Sequence, residues 1–169
     1  MSTFRHITPR EITENPFTLI GEEWMLISAA CGNHCNTMTA SWGGIGVLWN
    51  KPVAFTFVRP ERYTHTLLQE SNTYSLAFLP ESYRNALRYC GTHSGREGDK
   101  FAAAGLTVAY ENGIPYPAEA RLVLLCRKLH TLLFSQSQFT DSTLLSHYKT
   151  NGFHRQYVGE ILDVLQASP

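Results

Sequence analysis

Short apolar runs recur along the chain and are separated by stretches rich in Gly, Pro, Asn and charged residues. The runs contain many β-branched and aromatic residues, and a length of about four to eight residues is typical of strands rather than helices. Six or seven such strands indicate a mainly β protein. The predicted strands lie at 24–31, 37–42, 53–58, 73–79, 122–126, 129–134 and 157–165.

Helical patterns occupy several connections between these runs. Pro60 suits the first turn of a helix, and Gly91 suits the position just after the end of one. Because helices and strands do not alternate in a βαβ rhythm, the order favours an α+β barrel with short helices in its connections. The predicted helices lie at 61–70, 82–90, 99–104 and, capped by Thr140 or Asp141, up to 151.

The composition changes this picture by excluding some partners. Fourteen Lys and Arg against fourteen Asp and Glu give a formal net charge of zero, which argues against nucleic acid bound by charge. Apolar residues make up 43% and charged residues 17%, below the roughly 25% of average domains. We expect one domain over residues 1–169, with part of its surface covered by a ligand or a second subunit.

Targeting and membrane signals are not apparent. The beginning of the sequence is polar and carries both charge signs, unlike a signal or transit peptide. Trp24–Asn50 lacks Asp, Glu, Lys and Arg, but its Asn, His and Gly residues are unsuited to a membrane span. The four cysteines have no disulfide-framework spacing. We therefore expect a cytoplasmic protein without a membrane partner.

The segment Asn36–Trp42 is the first that suggests chemistry. Its hydroxyl residues alternate with Met, Ala and Trp, so a strand would present them on opposite faces. Small residues let a flat ligand approach the backbone, whose N–H groups can then bond to ligand heteroatoms. An ordinary half-buried strand that ends in a Gly-rich turn at 43–46 is the alternative.

Two further segments carry donors suited to an anion. Arg59-Pro-Glu-Arg-Tyr-Thr64 places two guanidinium groups and a hydroxyl at the start of a predicted helix, where free N–H groups favour phosphate. The Gly-rich segment Cys90–Lys100 adds Ser94, Arg96 and Lys100. Each alone is also explained as a solvated surface segment. Together the three segments predict a planar, phosphorylated ligand.

Metal and thiol chemistry are the competing interpretations. Cys31, His34 and Cys35 are three metal-ligating residues within five positions, but no second Cys/His pair follows at zinc spacing. Cys90 and His93 form a conceivable nucleophile pair, although sequence adjacency says little about geometry. We expect no metal site.

The three motifs, with Lys51-Pro52 and Tyr157–Ile161, resemble the flavin reductase-like family with an FMN-binding split barrel, and within it the flavoredoxin-like branch. The resemblance covers roughly residues 16–164, in the family's order. It implies a six-stranded split β-barrel that forms a homodimer with FMN at the subunit interface. Haem, pyridoxal phosphate and a zinc or thiol enzyme remain alternatives from other classes.

The resemblance also implies site residues. His154 would lie near the nicotinamide side of the flavin and is the catalytic candidate; the alternative is a strand-edge residue exposed to solvent. Phe153 precedes it where many relatives have an acidic residue, which departs from the family's pattern. The segment 38–42 would lie beside the flavin ring. The candidates for contact with the phosphate would be Arg59, Thr64, Ser94, Arg96 and Lys100. The implied FMN-binding residues are Asn36, Met38, Thr39, Ala40, Ser41, Trp42, Arg59, Arg62, Tyr63, Thr64, Cys90, Gly91, Ser94, Arg96 and Lys100.

The expected function follows from the cofactor. An FMN oxidoreductase of this kind would pass electrons from NAD(P)H through FMN to a small molecule, a flavin or a redox protein. The alternative is an FMN-binding electron carrier or sensor without its own nicotinamide site.

Overall fold

A computed structural model describes residues 3–168 and confirms a mainly β fold. Eight of the strands in this range form one antiparallel sheet, and two form a separate hairpin. The strands are β1 (Phe4–Ile7), β2 (Met25–Cys31), β3 (His34–Ala40), β4 (Gly43–Leu48), β5 (Lys51–Val58), β6 (Thr73–Phe78), β7 (Val108–Glu111), β8 (Ile114–Pro117), β9 (Leu122–Leu133) and β10 (Arg155–Ala167).

Short helices occupy the connections. The α-helices are α1 (Tyr63–Glu70), α2 (Arg84–Thr92) and α3 (Lys100–Ala103). None of the helices within residues 3–168 is long and apolar enough to cross a membrane. A π-helical turn covers Phe17–Glu22, and 3-10 turns cover Pro9–Glu11, Glu81–Tyr83, Gln136–Gln138 and Ser142–Tyr148.

The order of strands in the large sheet is β3-β2-β6-β9-β10-β5-β4, with β1 added along β10. β3 and β4 form its two edges, although only Ser41 and Trp42 separate them in the chain. A link this short keeps the adjoining ends of the two edge strands within about 11 Å of each other. The sheet therefore curls towards closure without pairing its edges, which is the architecture of a split barrel.

Strand β10 is the longest and has three partners. Residues 155–160 pair with β5, residues 164–167 pair with β1, and β9 lies along almost the whole strand. The register between β10 and β9 shifts between Val158 and Gly159, where β9 has one extra residue. Glycine is needed at position 159 because a Cβ there would lie 2.2 Å from the hydroxyl of Tyr74.

The barrel interior is apolar, and helices cover one side of β3. Tyr74 and Tyr157 are the largest of its fully buried side chains. α1 packs across β2 and β3, and α2 packs on β3. Leu67 and Leu68 of α1 are buried in the core. The beginning of α1 and the end of α2 are thereby brought to the same strand, and this positions the site described below.

The fold class is confirmed, but the strand count of six is wrong. The Gly-rich segment interpreted as a turn is strand β4, because Gly43 lets the backbone approach β5 closely: a Cβ there would lie 2.7 Å from the carbonyl oxygen of Phe55. The runs at 122–126 and 129–134 are one strand. Of its charged interruption, Arg127 lies on the outside and pairs with Glu160, whereas Lys128 donates to carbonyl oxygens at the end of α1.

Two helix boundaries also differ from the sequence prediction. Gly91 lies inside α2, which continues to Thr92. The segment after residue 140 forms a 3-10 turn, in which the Asp141 carboxylate accepts from the backbone N–H of Thr143. The prediction of a single domain over 1–169 includes residues 1, 2 and 169, which lie outside the described range.

Candidate functional site

A cavity of about 180 Å³ lies where β3, the first turn of α1 and the loop after α2 meet. We call it the cationic pocket. Its position follows from the fold, because α1 and α2 both pack on β3. The residues that line it are Asn36, Glu61, Arg62, Tyr63, Thr64, Gly91, Thr92, His93, Ser94, Gly95 and Lys100.

Two cations in this pocket share one acceptor. Lys100 is only 4% exposed, and its Nζ donates to the carbonyl oxygen of Cys90 at 2.7 Å. Arg62 donates from Nη2 to the same oxygen at 3.0 Å. Neither residue forms a salt bridge with any carboxylate within residues 3–168. Because buried charges are normally paired, this arrangement favours an anionic ligand.

The electrostatics of the pocket agree with this interpretation. Burial, and then the charge of Arg62, lower the pKa of Lys100 from 10.5 to about 8. Burial also lowers the pKa of Arg62. An anion bound between the two groups would favour their charged forms and raise the pKa of Lys100 again.

Neutral donors complete the pocket. The Asn36 amide donates to the hydroxyl of Thr64 at 2.9 Å, and both side chains are buried. The first turn of α1 leaves backbone N–H groups without intrahelical partners beside this hydroxyl. Gly95 lets the loop lie against Asn36, since a Cβ there would fall 2.2 Å from Oδ1. Two cations, a hydroxyl and helix N–H groups fit a phosphate group.

A second cavity, of about 190 Å³, adjoins the first, and Arg62 lines both. We call it the aromatic groove. The strand β3, whose only partner within residues 3–168 is β2, forms one wall and leaves a free backbone edge. Such an edge offers N–H and C=O groups to a flat ligand. The lining residues are Met38, Thr39, Ala40, Ser41, Trp42, Phe57, Arg59, Arg62 and His154.

His154 is a buried, neutral group in the wall of this groove. Its ring lies 5.2 Å from that of Trp42, and its Nδ1 is 2.9 Å from the hydroxyl of Tyr148. Burial is the largest cause that lowers the pKa of His154 to about 4, and the nearby Arg59 lowers it further. The imidazole is therefore uncharged at neutral pH.

Most of the residues predicted to bind the cofactor line one of the two cavities. Cys90 and Arg96 are the exceptions. Cys90 contributes its carbonyl oxygen, while its side chain is buried in the core. The Arg96 guanidinium donates to the carbonyl oxygen of Glu61 and lies over the ring of Tyr63, so it supports the pocket from outside.

Arg59 lies in the aromatic groove rather than in the cationic pocket. Its guanidinium donates to the carbonyl oxygens of His147, at 2.9 Å, and Gly152, at 3.2 Å. Contact between Arg59 and the phosphate stays a prediction, and Arg62 is the arginine that lines the cationic pocket.

Sequence reasoning missed several residues of the site. Glu61 and Gly95 line the cationic pocket. They lie in the segments 59–64 and 90–100, and membership of these segments was the signal that could have identified them. Phe57 precedes such a motif by two residues and lines the groove. Nothing in the sequence singled out Tyr148, because its contact with His154 depends on the path of the 3-10 turn.

The cysteines near the start of β3 do not converge. Cys31 stands opposite His34, and Cys35 stands opposite Ala30. Directly opposed residues share a face and successive residues alternate, so the two thiols project to opposite sides of the sheet. Within residues 3–168 no three His, Cys, Asp or Glu side chains are grouped to hold a metal ion.

Comparisons with known proteins give one family match. Residues 19–169 match the model of the flavin reductase like domain. The flavoredoxin of Methanosarcina acetivorans has a TM-score of 0.68 at 25% identity, over 84% of this chain and 67% of that chain. No curated protein sequence matches this one.

Two other solved structures are similar in fold. An FMN-binding domain of a flavin reductases-like enzyme from Shewanella baltica has a TM-score of 0.72 at 13% identity, over 98% of this chain and 78% of that chain. An NADH:FAD oxidoreductase from Streptomyces globisporus has a TM-score of 0.64 at 18% identity, over 85% and 74%.

Proposed function

The chain belongs to the family of flavin reductase like domains, and on this premise we propose that it is an FMN-binding oxidoreductase. Electrons would pass from NAD(P)H through FMN to a small molecule, a flavin or a redox protein. The observation that carries the proposal is the convergence of Arg62 and Lys100 on one carbonyl oxygen without a carboxylate partner among residues 3–168. The phosphate of FMN fits the cationic pocket. Its flat ring fits the adjoining aromatic groove beside the free edge of β3.

Each group of residues has a distinct task in this proposal. Arg62, Lys100 and Thr64 hold the phosphate, and Asn36 orients the hydroxyl of Thr64. The free edge of β3 supports the ring. Bound FMN supplies the hydride and single-electron chemistry. Since the protein's task is orientation and exclusion of water, no single side chain is expected to act as an indispensable acid or base.

The reducing nicotinamide is proposed to enter the aromatic groove. Trp42 and Phe57 offer ring surfaces there. Because His154 is uncharged, it does not repel the positively charged nicotinamide that forms when NAD(P)H is oxidised. Arg59 adds one positive charge in the wall.

Flavin retention and reduction test the proposal. The purified protein is mixed with excess FMN and desalted, and the absorption spectrum is recorded. We expect about one FMN per chain to be retained, and stopped-flow mixing with NADH or NADPH to bleach the flavin bands. A protein that retains no FMN, and in whose presence free flavin does not accelerate NAD(P)H oxidation, would contradict the proposed function.

An electron carrier without a nicotinamide site is the second candidate. It is favoured by Phe153, which stands where many relatives have an acidic residue. Retention of FMN with slow bleaching by both nicotinamides would select the carrier over the reductase.

We further propose a homodimer formed through β4. This strand pairs only with β5 among the described residues, and Val47 and Trp49 beside its free edge are 77% and 54% exposed. An apolar exposed edge strand needs a cover, and a second copy of the chain supplies one.

Val47→Lys should therefore convert the protein to a monomer, because a buried lysine opposes packing of the two copies. Sedimentation velocity at micromolar concentration measures this. Thr107→Lys, which adds the same charge at an exposed position in the connection before β7, is the matched control and should remain dimeric. A wild-type protein that sediments as a monomer would exclude the dimer.

A cytoplasmic location is part of the proposal. It is supported by the four cysteines, all of which are free thiols in the structure, as is usual in a reducing compartment.

A further inference from the structure

The contact between Tyr148 and His154 defines which imidazole nitrogen carries the proton. The hydroxyl oxygen of Tyr148 lies 2.9 Å from Nδ1 of His154. A phenol is the stronger acid and an imidazole the stronger base of the two, so the hydroxyl donates and Nδ1 accepts. The remaining proton of a neutral imidazole then resides on Nε2.

Nε2 is available to a ligand. Within residues 3–168 it makes no hydrogen bond, and it is not among the side-chain atoms that are buried without a partner. His154 lines the aromatic groove together with Trp42 and Phe57. The aromatic groove thus contains a neutral N–H donor in addition to the charged groups of Arg59 and Arg62.

The turn that carries Tyr148 is held by Arg59 and Glu61. Arg59 donates to the carbonyl oxygens of His147 and Gly152, which flank Tyr148 in the chain, and its guanidinium lies 5.2 Å from the centre of the tyrosine ring. Glu61 accepts from the backbone N–H of Gly152 at 2.6 Å. These contacts fix the phenol before any ligand arrives.

The charges that face His154 keep it neutral on balance. Arg59 and His147 disfavour the imidazolium, Glu61 favours it, and burial, the largest cause, disfavours it, which together lower the pKa of His154. The proton on Nε2 is therefore retained as a donor across the physiological range.

We propose that Tyr148 is a positioning residue that holds His154 as the Nε2–H tautomer, so that the aromatic groove receives neutral planar ligands that present a carbonyl oxygen. The ligand class rests on the proposed function, since the groove lies beside the expected flavin. The assignment of the tautomer stands on the contact alone.

The tautomer is tested by nitrogen-15 NMR of the imidazole, in the protein as purified and after addition of FMN. The wild-type protein should show a protonated Nε2 and an unprotonated Nδ1 at pH 7. Tyr148→Phe, which keeps the ring over Arg59, should show a mixture of the two tautomers. Tyr110→Phe removes an exposed hydroxyl in β7 and should leave the spectrum of His154 unchanged. A wild-type His154 protonated on Nδ1, or an unchanged tautomer in Tyr148→Phe, would overturn the proposal.

The ligand class is tested with benzamide and aniline, two neutral rings of which only benzamide has a carbonyl oxygen. Benzamide should shift the Nε2 resonance and bind more tightly than aniline. In Tyr148→Phe, benzamide binding should weaken about twofold for an equal mixture of the two tautomers, because only the Nε2–H fraction donates to the carbonyl oxygen. Equal binding of the two rings would overturn the assigned ligand class. The NMR measurement without FMN remains informative if the flavin assignment fails, so the two failures are distinguishable.

Discussion

Lys100→Met should weaken FMN binding about 10- to 100-fold, which corresponds to the loss of one charged hydrogen bond to phosphate. The ammonium group is buried, and its hydrogen-bond acceptor is the carbonyl oxygen of Cys90, which Arg62 also contacts. Met has a similar length and volume, so the pocket should keep its shape. Fluorescence quenching of FMN during titration with the protein measures the change in Kd.

As the pH rises, the free energy of unfolding should change in the opposite direction to FMN affinity. Because the pKa of Lys100 is lowered to about 8 in the folded protein, the unfolded chain binds this proton more tightly. In the absence of ligand, the free energy of unfolding should rise as the pH increases from about 8 to 10.5, and Lys100→Met should lose this gain. FMN affinity should fall over the same range in the wild-type protein, because the deprotonated amine no longer attracts phosphate.

Lys128 provides a matched control. It is half-buried, and its Nζ likewise donates to backbone carbonyl oxygens, those of Leu68 and Gln69 at the end of α1. Lys128→Met removes a similar charge from outside the cationic pocket and should leave FMN affinity unchanged. Equal losses in the Lys100 and Lys128 variants would show that the effect is general and not one of phosphate binding.

Gly159→Ala should destabilise the fold by about 3 kcal/mol, the upper part of the usual range for overpacking. The added Cβ would lie 2.2 Å from the hydroxyl oxygen of Tyr74, 2.8 Å from its Cζ and 3.1 Å from the Cβ of Cys126. Tyr74 is fully buried and cannot move away without disturbing the core. Thermal unfolding should show a decrease in Tm of about 10 °C for a domain of this size.

Two further variants test the cause of this loss. Gly46→Ala, on strand β4, meets no atom within 4 Å of the new Cβ and should leave Tm almost unchanged. Tyr74→Phe in the Gly159→Ala background removes the nearest atom and should restore part of the stability, since the contact with Cζ persists. If the double variant is no more stable than Gly159→Ala, contact with the hydroxyl is not the cause.

The sequence predicted the fold class because strand-forming runs are short, apolar and bounded by turn residues, as in the segments that became β2, β5 and β6. It failed for β4, where Gly43 and Gly46 suggest a turn. Pairing with β5 and close backbone approach to Phe55 override this local preference. It also failed at the charged interruption in β9, because Arg127 is satisfied by an ion pair on the outer face.

Most of the candidate site was predictable because its residues lie in short motifs, and residues close together in the sequence remain close together in the fold. Arg62 and Thr64 remain neighbours at the start of α1 wherever that helix packs. The different positions of Arg59 and Arg62 were not predictable, since two arginines three residues apart diverge when a turn lies between them. The role of Tyr148 depends on long-range packing between a 3-10 turn and β10, which no local pattern encodes.

The pairing of β10 has a consequence for folding during synthesis. This strand lies between β5 and β9 in the sheet and also pairs with β1. The barrel therefore lacks its central strand until residues 155–167 have left the ribosome. Most of the cofactor site precedes this point in the chain, and β5 and β9 emerge with unpaired edges. Pairings of such long sequence separation form slowly, and the exposed intermediate invites association of nascent chains. A chaperone that shields strand edges should therefore increase the yield of folded protein more than one that accelerates helix formation.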